Sequence, residues 1–151
     1  MLTNLKYVGV SIEELLNIYI LFIRSCTEYC SVLFHSRLSV EDSASLERIQ
    51  KTCLRIILSD SYISYDAALE MTGLEMLSSR RERRCLDFAL KCLDHDKNSQ
   101  LFPLNPVYSS QVNTRQSETF LVNFANTETY RMSAIPYCQR LLNKHFESDE
   151  K

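Results

Sequence analysis

Three basic side chains, Arg48, Lys51 and Arg55, recur at spacings of three and four residues within the segment 46–58. On an α-helix, residues three or four apart lie on the same side. Cations arranged in this way can contact the phosphates of a nucleic acid without reading its sequence. A solvated helix face is the simpler interpretation, but the acid beside the stripe is Glu47 alone. The spacing therefore makes these three residues candidate phosphate contacts.

A second group of guanidinium side chains is concentrated further along the chain, at Arg80, Arg81, Arg83 and Arg84. The pattern SRRE that begins at Ser79 fits a capping box, so we expect a helix to begin there. Four cations in its first turns oppose the helix dipole. An anionic nucleic acid would relieve this repulsion, and so would the neighbouring carboxylates of Glu82 and Asp87. The sequence leaves both interpretations open.

Cysteine and histidine side chains could instead bind a metal. The chain has six cysteines, at Cys26, Cys30, Cys53, Cys85, Cys92 and Cys138. None of them forms a CxxC pair, and Cys26, Cys30 and His35 only superficially resemble a zinc knuckle. A knuckle needs tight loops, whereas these three residues lie in a helical pattern without Gly or Pro. We therefore expect no metal site, and we expect the cysteines to be reduced core residues of an intracellular protein.

Catalytic motifs are not apparent in the sequence. The histidines, His35, His95 and His145, lie far apart and next to no recognisable nucleophile motif. Gly9 and Gly73 are the only glycines, so the chain has no glycine-rich phosphate loop. It also has no Asp-Asp pair of the kind that holds two metal ions in a polymerase. The sequence predicts no enzyme, no cofactor and no small-molecule substrate.

The elements that would position the basic side chains are predicted to be helices. Ser11 can cap a first, long helix that reaches about His35 and turns at Ser36–Ser39. This helix is apolar nearly all round, and its main apolar face is formed by Leu15, Ile18, Phe22, Cys26, Tyr29 and Leu33. Ser39 then caps a second helix, whose apolar face is formed by Leu46, Ile49, Cys53, Ile56 and Ile57.

The remainder of the chain changes in character near residue 98. A short helix around 66–71 should close at Gly73, and the arginine-rich helix should bury Leu86, Ala89, Leu90 and Leu93. An extended connector follows at 101–106, then a loop at 109–118. The segment 119–124 has the content of a short strand or half of a hairpin. Pro136 fits the first turn of a final helix.

Composition agrees with a helical globular protein. The 151 residues are 45% hydrophobic and 24% charged, with 2 Gly and 3 Pro. The formal charge of -2 gives no global basic signal, so nucleic-acid contacts must come from local clusters. The start of the chain lacks the features of a signal peptide, and the apolar run 15–23 is shorter than the ~20 residues that span a bilayer. We expect a soluble protein of the cytoplasm or nucleus, with no membrane partner.

Many of these segments together resemble a known family. They are LKYVGV (5–10), EYCS (28–31), FHS (34–36), LERIQK (46–51), ALEMTGL (68–74), RRCLDF (83–88), LFPLN (101–105), VNFA (122–125), TETY (127–130) and SAIPYCQRLLN (133–143). The combination resembles the region downstream of the polymerase palm in reverse transcriptases of non-LTR, LINE-type, jockey-like retrotransposons. That region corresponds to the thumb and the C-terminal tail.

The resemblance implies a mainly α fold, with a thumb-like helical bundle at 1–97 and an irregular tail with a short terminal helix at 98–151. It implies contact with the backbone of a template–primer duplex. The metal-binding aspartates of the palm have no counterpart in these residues, so we expect a catalytically incomplete fragment of an RNA-directed DNA polymerase. The alternative is a protein-interaction or self-associating helical module. In that case the apolar first helix would contact a palm or a second copy of the chain.

Overall fold

The computed structural model describes residues 1–105 and 119–149. Across these residues it is mostly helical and contains no β-strand, which confirms the mainly α prediction. In chain order the helices are α1 (Leu2–Tyr7), α2 (Ile12–Ile18), a π-helical stretch (Tyr19–Arg24), α3 (Ser25–Thr27), α4 (Ser31–Phe34), α5 (Val40–Leu58), α6 (Tyr65–Thr72), α7 (Leu77–Leu93), α8 (Glu128–Arg131) and α9 (Ala134–Asp149). Single 3₁₀ turns occupy His35–Arg37, Ser59–Ser61 and Ser99–Leu101.

Contacts divide the chain into two compact units. The first unit combines residues 1–31 with 38–81, and the second combines 32–37 with 82–105 and 119–149. The predicted boundary at residue 97 therefore lies inside the second unit. Hydrophobic contacts of α7 explain the difference, because its buried residues Cys85, Ala89 and Cys92 belong to the same core as those of α9. Each unit has buried apolar residues of its own.

The first unit is organised around α5. Ser39 caps this 19-residue helix as predicted, and its side chain accepts a hydrogen bond from the backbone N–H of Asp42 at 3.0 Å. At the other end, Lys6 Nζ donates to the backbone carbonyls of Ile56 and Ile57, each at 2.8 Å. The last carbonyls of a helix have no partner within the helix, so this contact satisfies two of them. Helix α5 is thus fixed at both ends.

Two apolar clusters flank α5 in the first unit. One buries Leu2, Leu15, Tyr19, Cys53 and Ile57, and the other buries Leu54, Leu58, Ala68 and Leu69. Helix α6 ends at Gly73 as predicted, with φ +63° in the left-handed region that glycine adopts without strain.

The first helix differs from its prediction. The Ser11 cap is confirmed, and its hydroxyl forms a reciprocal capping box with Glu14. However, the helix changes to π spacing at Tyr19 and is interrupted near Cys30, where φ is +53°. In a π-helix the hydrogen bonds span five residues, so a face drawn at α spacing does not continue through it. The buried pair is Leu15 and Tyr19, whereas the predicted face members Phe22, Cys26, Tyr29 and Leu33 are exposed.

The second unit packs α9 against the later turns of α7. Its core contains Cys85, Ala89, Cys92, Phe102, Phe120, Cys138 and Leu142. Pro136 lies in the first turn of α9, as predicted. This helix has 16 residues and is longer than the short terminal helix that we expected. The predicted loop at 109–118 lies outside the residues that the structure describes.

The predicted strand at 119–124 is not found among the described residues. The extended backbone there makes an isolated bridge between Leu104 and Phe120. Phe120 and Asn123 also bond to amide side chains of α9. Asn143 accepts from the N–H of Phe120 at 2.8 Å and donates to its carbonyl at 3.0 Å, and Gln139 accepts from the N–H of Asn123 at 3.0 Å. Side chains of a helix therefore satisfy backbone groups that a second strand would otherwise bind.

Candidate nucleic-acid interface

The basic stripe predicted on α5 exists as a surface feature. Arg48, Lys51 and Arg55 are all exposed, and the helix buries Gln50, Cys53, Leu54, Ile57 and Leu58 on its other side. Among the residues that the structure describes, no carboxylate forms an ion pair with any of the three. The stripe is therefore open to an external anion, on a helix whose two ends are fixed.

Two of the three cations lie over tyrosine rings. Lys51 Nζ is 4.7 Å from the centroid of the Tyr65 ring, and Arg55 Cζ is 5.4 Å from that of Tyr62. Both distances fall within the ~6 Å range of cation–π attraction. We did not predict these contacts from the sequence. The sequence contains one signal for them. Lys51 and Arg55 are four residues apart, and after a turn Tyr62 and Tyr65 follow, three residues apart.

Glu47, the acid nearest to the stripe in sequence, is turned towards α7. Its carboxylate accepts hydrogen bonds from the backbone N–H groups of Leu77 and Ser78, at 3.1 and 3.3 Å, and from the hydroxyl of Tyr65. A carboxylate at a helix N-terminus binds unpaired N–H groups and is stabilised by the helix dipole. Helix α7 therefore begins at Leu77 and is capped by Glu47, so the prediction that Ser79 opens it in a capping box is wrong.

A buried polar network connects Glu47 to the centre of the first unit. Tyr19 donates to Gln50 Oε1 at 2.5 Å, and Gln50 Nε2 donates to the Tyr65 hydroxyl at 2.8 Å and to the carbonyl of Glu75 at 2.9 Å. Burial, reinforced by Glu47 at Tyr65, raises the pKa of both tyrosines well above the usual value. Both phenols therefore stay neutral. The hydrogen bonds of the Tyr65 hydroxyl with Gln50 and Glu47 hold its ring beneath Lys51.

Arg80 and Arg81 have partners inside the first unit. Arg80 Nε lies 2.8 Å from Oε1 of the buried Glu28, and Arg80 Nη1 lies 3.5 Å from Oε1 of Glu75. Partial burial lowers the pKa of Arg80, but the two carboxylates more than offset this and raise it above the usual value. Arg81 is 0% exposed, and its Nη2 donates to Ser43 Oγ at 2.9 Å.

These contacts correct the prediction for the arginine cluster. Carboxylates relieve the repulsion at Arg80, but they come from Glu28 and Glu75 rather than from Glu82 and Asp87. Arg81 is too deeply buried to contact a phosphate outside the unit. Arg83 and Arg84 are exposed and belong to the second unit. All seven predicted phosphate contacts lie on two helices. On α5 all three are exposed, whereas on α7 only Arg83 and Arg84 are.

The six cysteines differ in burial. Four of the six are buried, but Cys26 and Cys30 are exposed, so the prediction that all are core residues is wrong for these two. Burial raises the pKa of Cys138 to about 12, which keeps this thiol protonated at neutral pH. Within residues 1–105 and 119–149, no group of three or more potential ligands is placed to hold a metal ion.

Comparison with protein-family models, curated proteins and solved structures found no match for this chain. None of the described helices is both long and apolar enough to cross a bilayer.

Proposed function

We propose that the first unit binds the sugar–phosphate backbone of a nucleic acid through Arg48, Lys51 and Arg55. One observation carries this proposal: three exposed cations follow one side of a helix that is fixed at both ends. Such a surface neutralises phosphates without hydrogen-bonding to base edges, so binding should be independent of sequence. The proposed activity is binding and not catalysis.

The resemblance to reverse transcriptases supplies the kind of nucleic acid. Because the segments 46–51 and 68–74 resemble the thumb region of that family, we propose an RNA–DNA or DNA duplex of the template–primer type as the ligand. The chain would then be a thumb-like part of a polymerase-related protein. Its chemistry would depend on a palm that these residues do not provide. The exposed Arg83 and Arg84 of the second unit remain proposed additional contacts.

Fluorescence anisotropy with a labelled RNA–DNA hybrid tests the proposal. Neutralising Arg48, Lys51 and Arg55 together to Gln should abolish measurable binding at low salt, or reduce the slope of log affinity against log salt by about 2 to 3. The matched control neutralises Arg37, Lys91 and Lys97, which are exposed elsewhere and change the net charge equally. Equal losses in the two triple variants would show a general charge effect and overturn the proposal.

An exposed apolar surface favours a second candidate function, which is protein interaction. Leu21 and Phe22 lie on the π-helical stretch and are 65% and 62% exposed. Exposed apolar side chains mark a contact surface where they form part of a contiguous patch. The partner would be a reverse-transcriptase palm or a second copy of the chain, as expected from the apolar character of the first helix.

Light scattering over a concentration series distinguishes the self-associating form of this candidate. If Leu21 and Phe22 form a contact between copies, the molar mass should rise with concentration. The double variant L21Q/F22Q should then remain monomeric. A wild-type chain that stays monomeric at high concentration would exclude self-association, and co-purification with a reverse-transcriptase palm would test the other partner.

A further inference from the structure

We propose that Tyr62 and Tyr65 are positioning residues that hold Arg55 and Lys51 in place for phosphate binding. This inference rests on the proposed function, because it concerns the same basic stripe. It assigns a role to two tyrosines that contact the cations but do not themselves need to contact the nucleic acid. The observation behind it is the paired geometry of the two rings under the two cations.

The two pairs have a regular arrangement. Lys51 and Arg55 are four residues apart on α5, which separates them by about 6 Å along the helix axis. Tyr65 is the first residue of α6 and Tyr62 lies three residues before it, and each ring meets a different cation. The rings therefore hold two positive charges about one helical turn apart.

Both rings are themselves held by the fold. The Tyr65 hydroxyl accepts from Gln50 and donates to Glu47. Tyr62 packs against the cluster of Leu54, Leu58, Ala68 and Leu69, and its backbone N–H donates to the carbonyl of Ser59 at 3.0 Å. A ring fixed in this way restricts the cation above it, whereas a ring free to rotate would not.

Restricting these cations before binding should increase affinity. Free lysine and arginine side chains lose much rotamer freedom when a phosphate immobilises them. A cation already held over a ring has lost part of that freedom, so binding costs less conformational entropy. Arg48 provides an internal comparison, because no aromatic ring lies under it among the described residues.

The cations also limit what the rings can do. Base stacking on a protein requires an accessible aromatic face. One face of Tyr62 is covered by the Arg55 guanidinium, and one face of Tyr65 is covered by the Lys51 ammonium. The geometry therefore favours a role in holding charge over a role in stacking bases.

The test uses variants of Tyr62, which lies outside the buried hydrogen-bond network. Tyr62→Leu removes the ring, Tyr62→Phe keeps it, and Tyr7→Leu removes a tyrosine that is 93% exposed and serves as the control. Affinity for the RNA–DNA hybrid is measured across a salt series, and thermal melting of each variant checks that the fold is retained. NMR measures the ring-current shift of the Arg55 side-chain protons in the free protein.

We expect Tyr62→Leu to lose the ring-current shift and to weaken binding by about two- to fivefold. Its salt slope should match the wild type, because Arg55 keeps its charge, whereas R55Q should lower the slope by about 0.9. Tyr62→Phe should retain both the ring-current shift and the wild-type affinity. Tyr7→Leu should match the wild type throughout.

Each other outcome counts against a defined part of the proposal. If the wild type binds and Tyr62→Leu binds equally well, the positioning role is wrong while the proposed function stands. If Arg55 shows no ring-current shift in the free protein, the ring does not hold it and the inference fails. If the wild type does not bind any hybrid, the proposed function fails, and the positioning role fails with it.

Discussion

The two basic regions of this chain look alike in sequence but differ in the folded protein. The stripe of α5 has three cations, and all of them are exposed. In the denser arginine cluster, by contrast, Arg80 is paired with carboxylates and Arg81 is completely buried. The density of positive charge in a sequence thus does not indicate how many of the cations are accessible to a ligand. Their accessibility depends on which carboxylates and apolar residues the fold places around them.

The largest expected effect is the loss of stability when a buried ion pair is broken. Substituting Glu28 by Ala should lower the free energy of unfolding by about 3 kcal/mol, because it leaves the partly buried Arg80 without its main partner. Substituting Arg48 by Ala on the exposed stripe should change the same quantity by less than about 0.5 kcal/mol. Urea denaturation followed by circular dichroism measures both. Similar losses in the two variants would erase the distinction between the regions.

Glu47, the acid beside the stripe, should contribute to the stability of the fold. Glu47→Ala removes the cap from α7 and the acceptor of the Tyr65 hydroxyl, and should cost about 2 kcal/mol of stability. Glu70→Ala, which removes an exposed carboxylate from α6, is the matched control and should be nearly neutral. Chemical denaturation again gives the values. If Glu47→Ala were as mild as its control, the capping role would be contradicted.

A third prediction follows from the proposed function and concerns which cations contribute to the salt dependence of nucleic-acid binding. Arg81→Met should leave the salt slope of binding unchanged, because the buried guanidinium cannot contact a phosphate. Arg48→Gln removes one exposed charge and should lower the slope by about 0.9. Salt titration of hybrid binding measures both slopes. A reduced slope for Arg81→Met would mean that the cluster opens when the ligand binds.

The smallest effect compares the exposed local cap formed by Ser11 and Glu14 with the half-buried, remote cap that Glu47 provides. Hydrogen bonds from the Ser11 hydroxyl and backbone lower the pKa of Glu14 below its usual value of 4.5. Its contribution to stability is therefore present above that usual value and is lost as the pH falls through the lower folded-state pKa. The melting temperatures of wild type and Glu14→Gln should differ at neutral pH and converge as the pH falls below the folded-state pKa of Glu14. A difference that persists at the acidic end would show that the cap does not depend on the carboxylate charge.

Features that depend on neighbours in sequence were predicted well. The caps at Ser11 and Ser39 and the helix end at Gly73 are found where the local pattern placed them. Hydrogen bonds within three or four residues determine these features, so the sequence contains both partners. The exposure of Arg48, Lys51 and Arg55 on α5 followed from helical spacing for the same reason. The predicted apolar face of α5 was only partly right, because Ile49 is exposed while Gln50 is buried.

Features that depend on distant partners were missed. The cap of α7 comes from Glu47, thirty residues before it, and the predicted cap at Ser79 had only its local pattern in support. The break near Cys30 and the change to π spacing at Tyr19 interrupt an apolar pattern that appears continuous in the sequence. The local sequence cannot show whether a distant carboxylate or a nearby hydroxyl will cap a helix. The distant group loses conformational entropy when it is brought close, and the packing of the whole core offsets that loss.

The sequence by itself therefore determined that the protein is helical and that Arg48, Lys51 and Arg55 share a helix face. Helical periodicity carries this information within a few residues. Only the tertiary structure decided that two of these cations rest on tyrosine rings and that Arg81 is buried. Those outcomes depend on packing between segments that are far apart in the chain, where burial and ion pairing select among side chains that the sequence presents as equivalent.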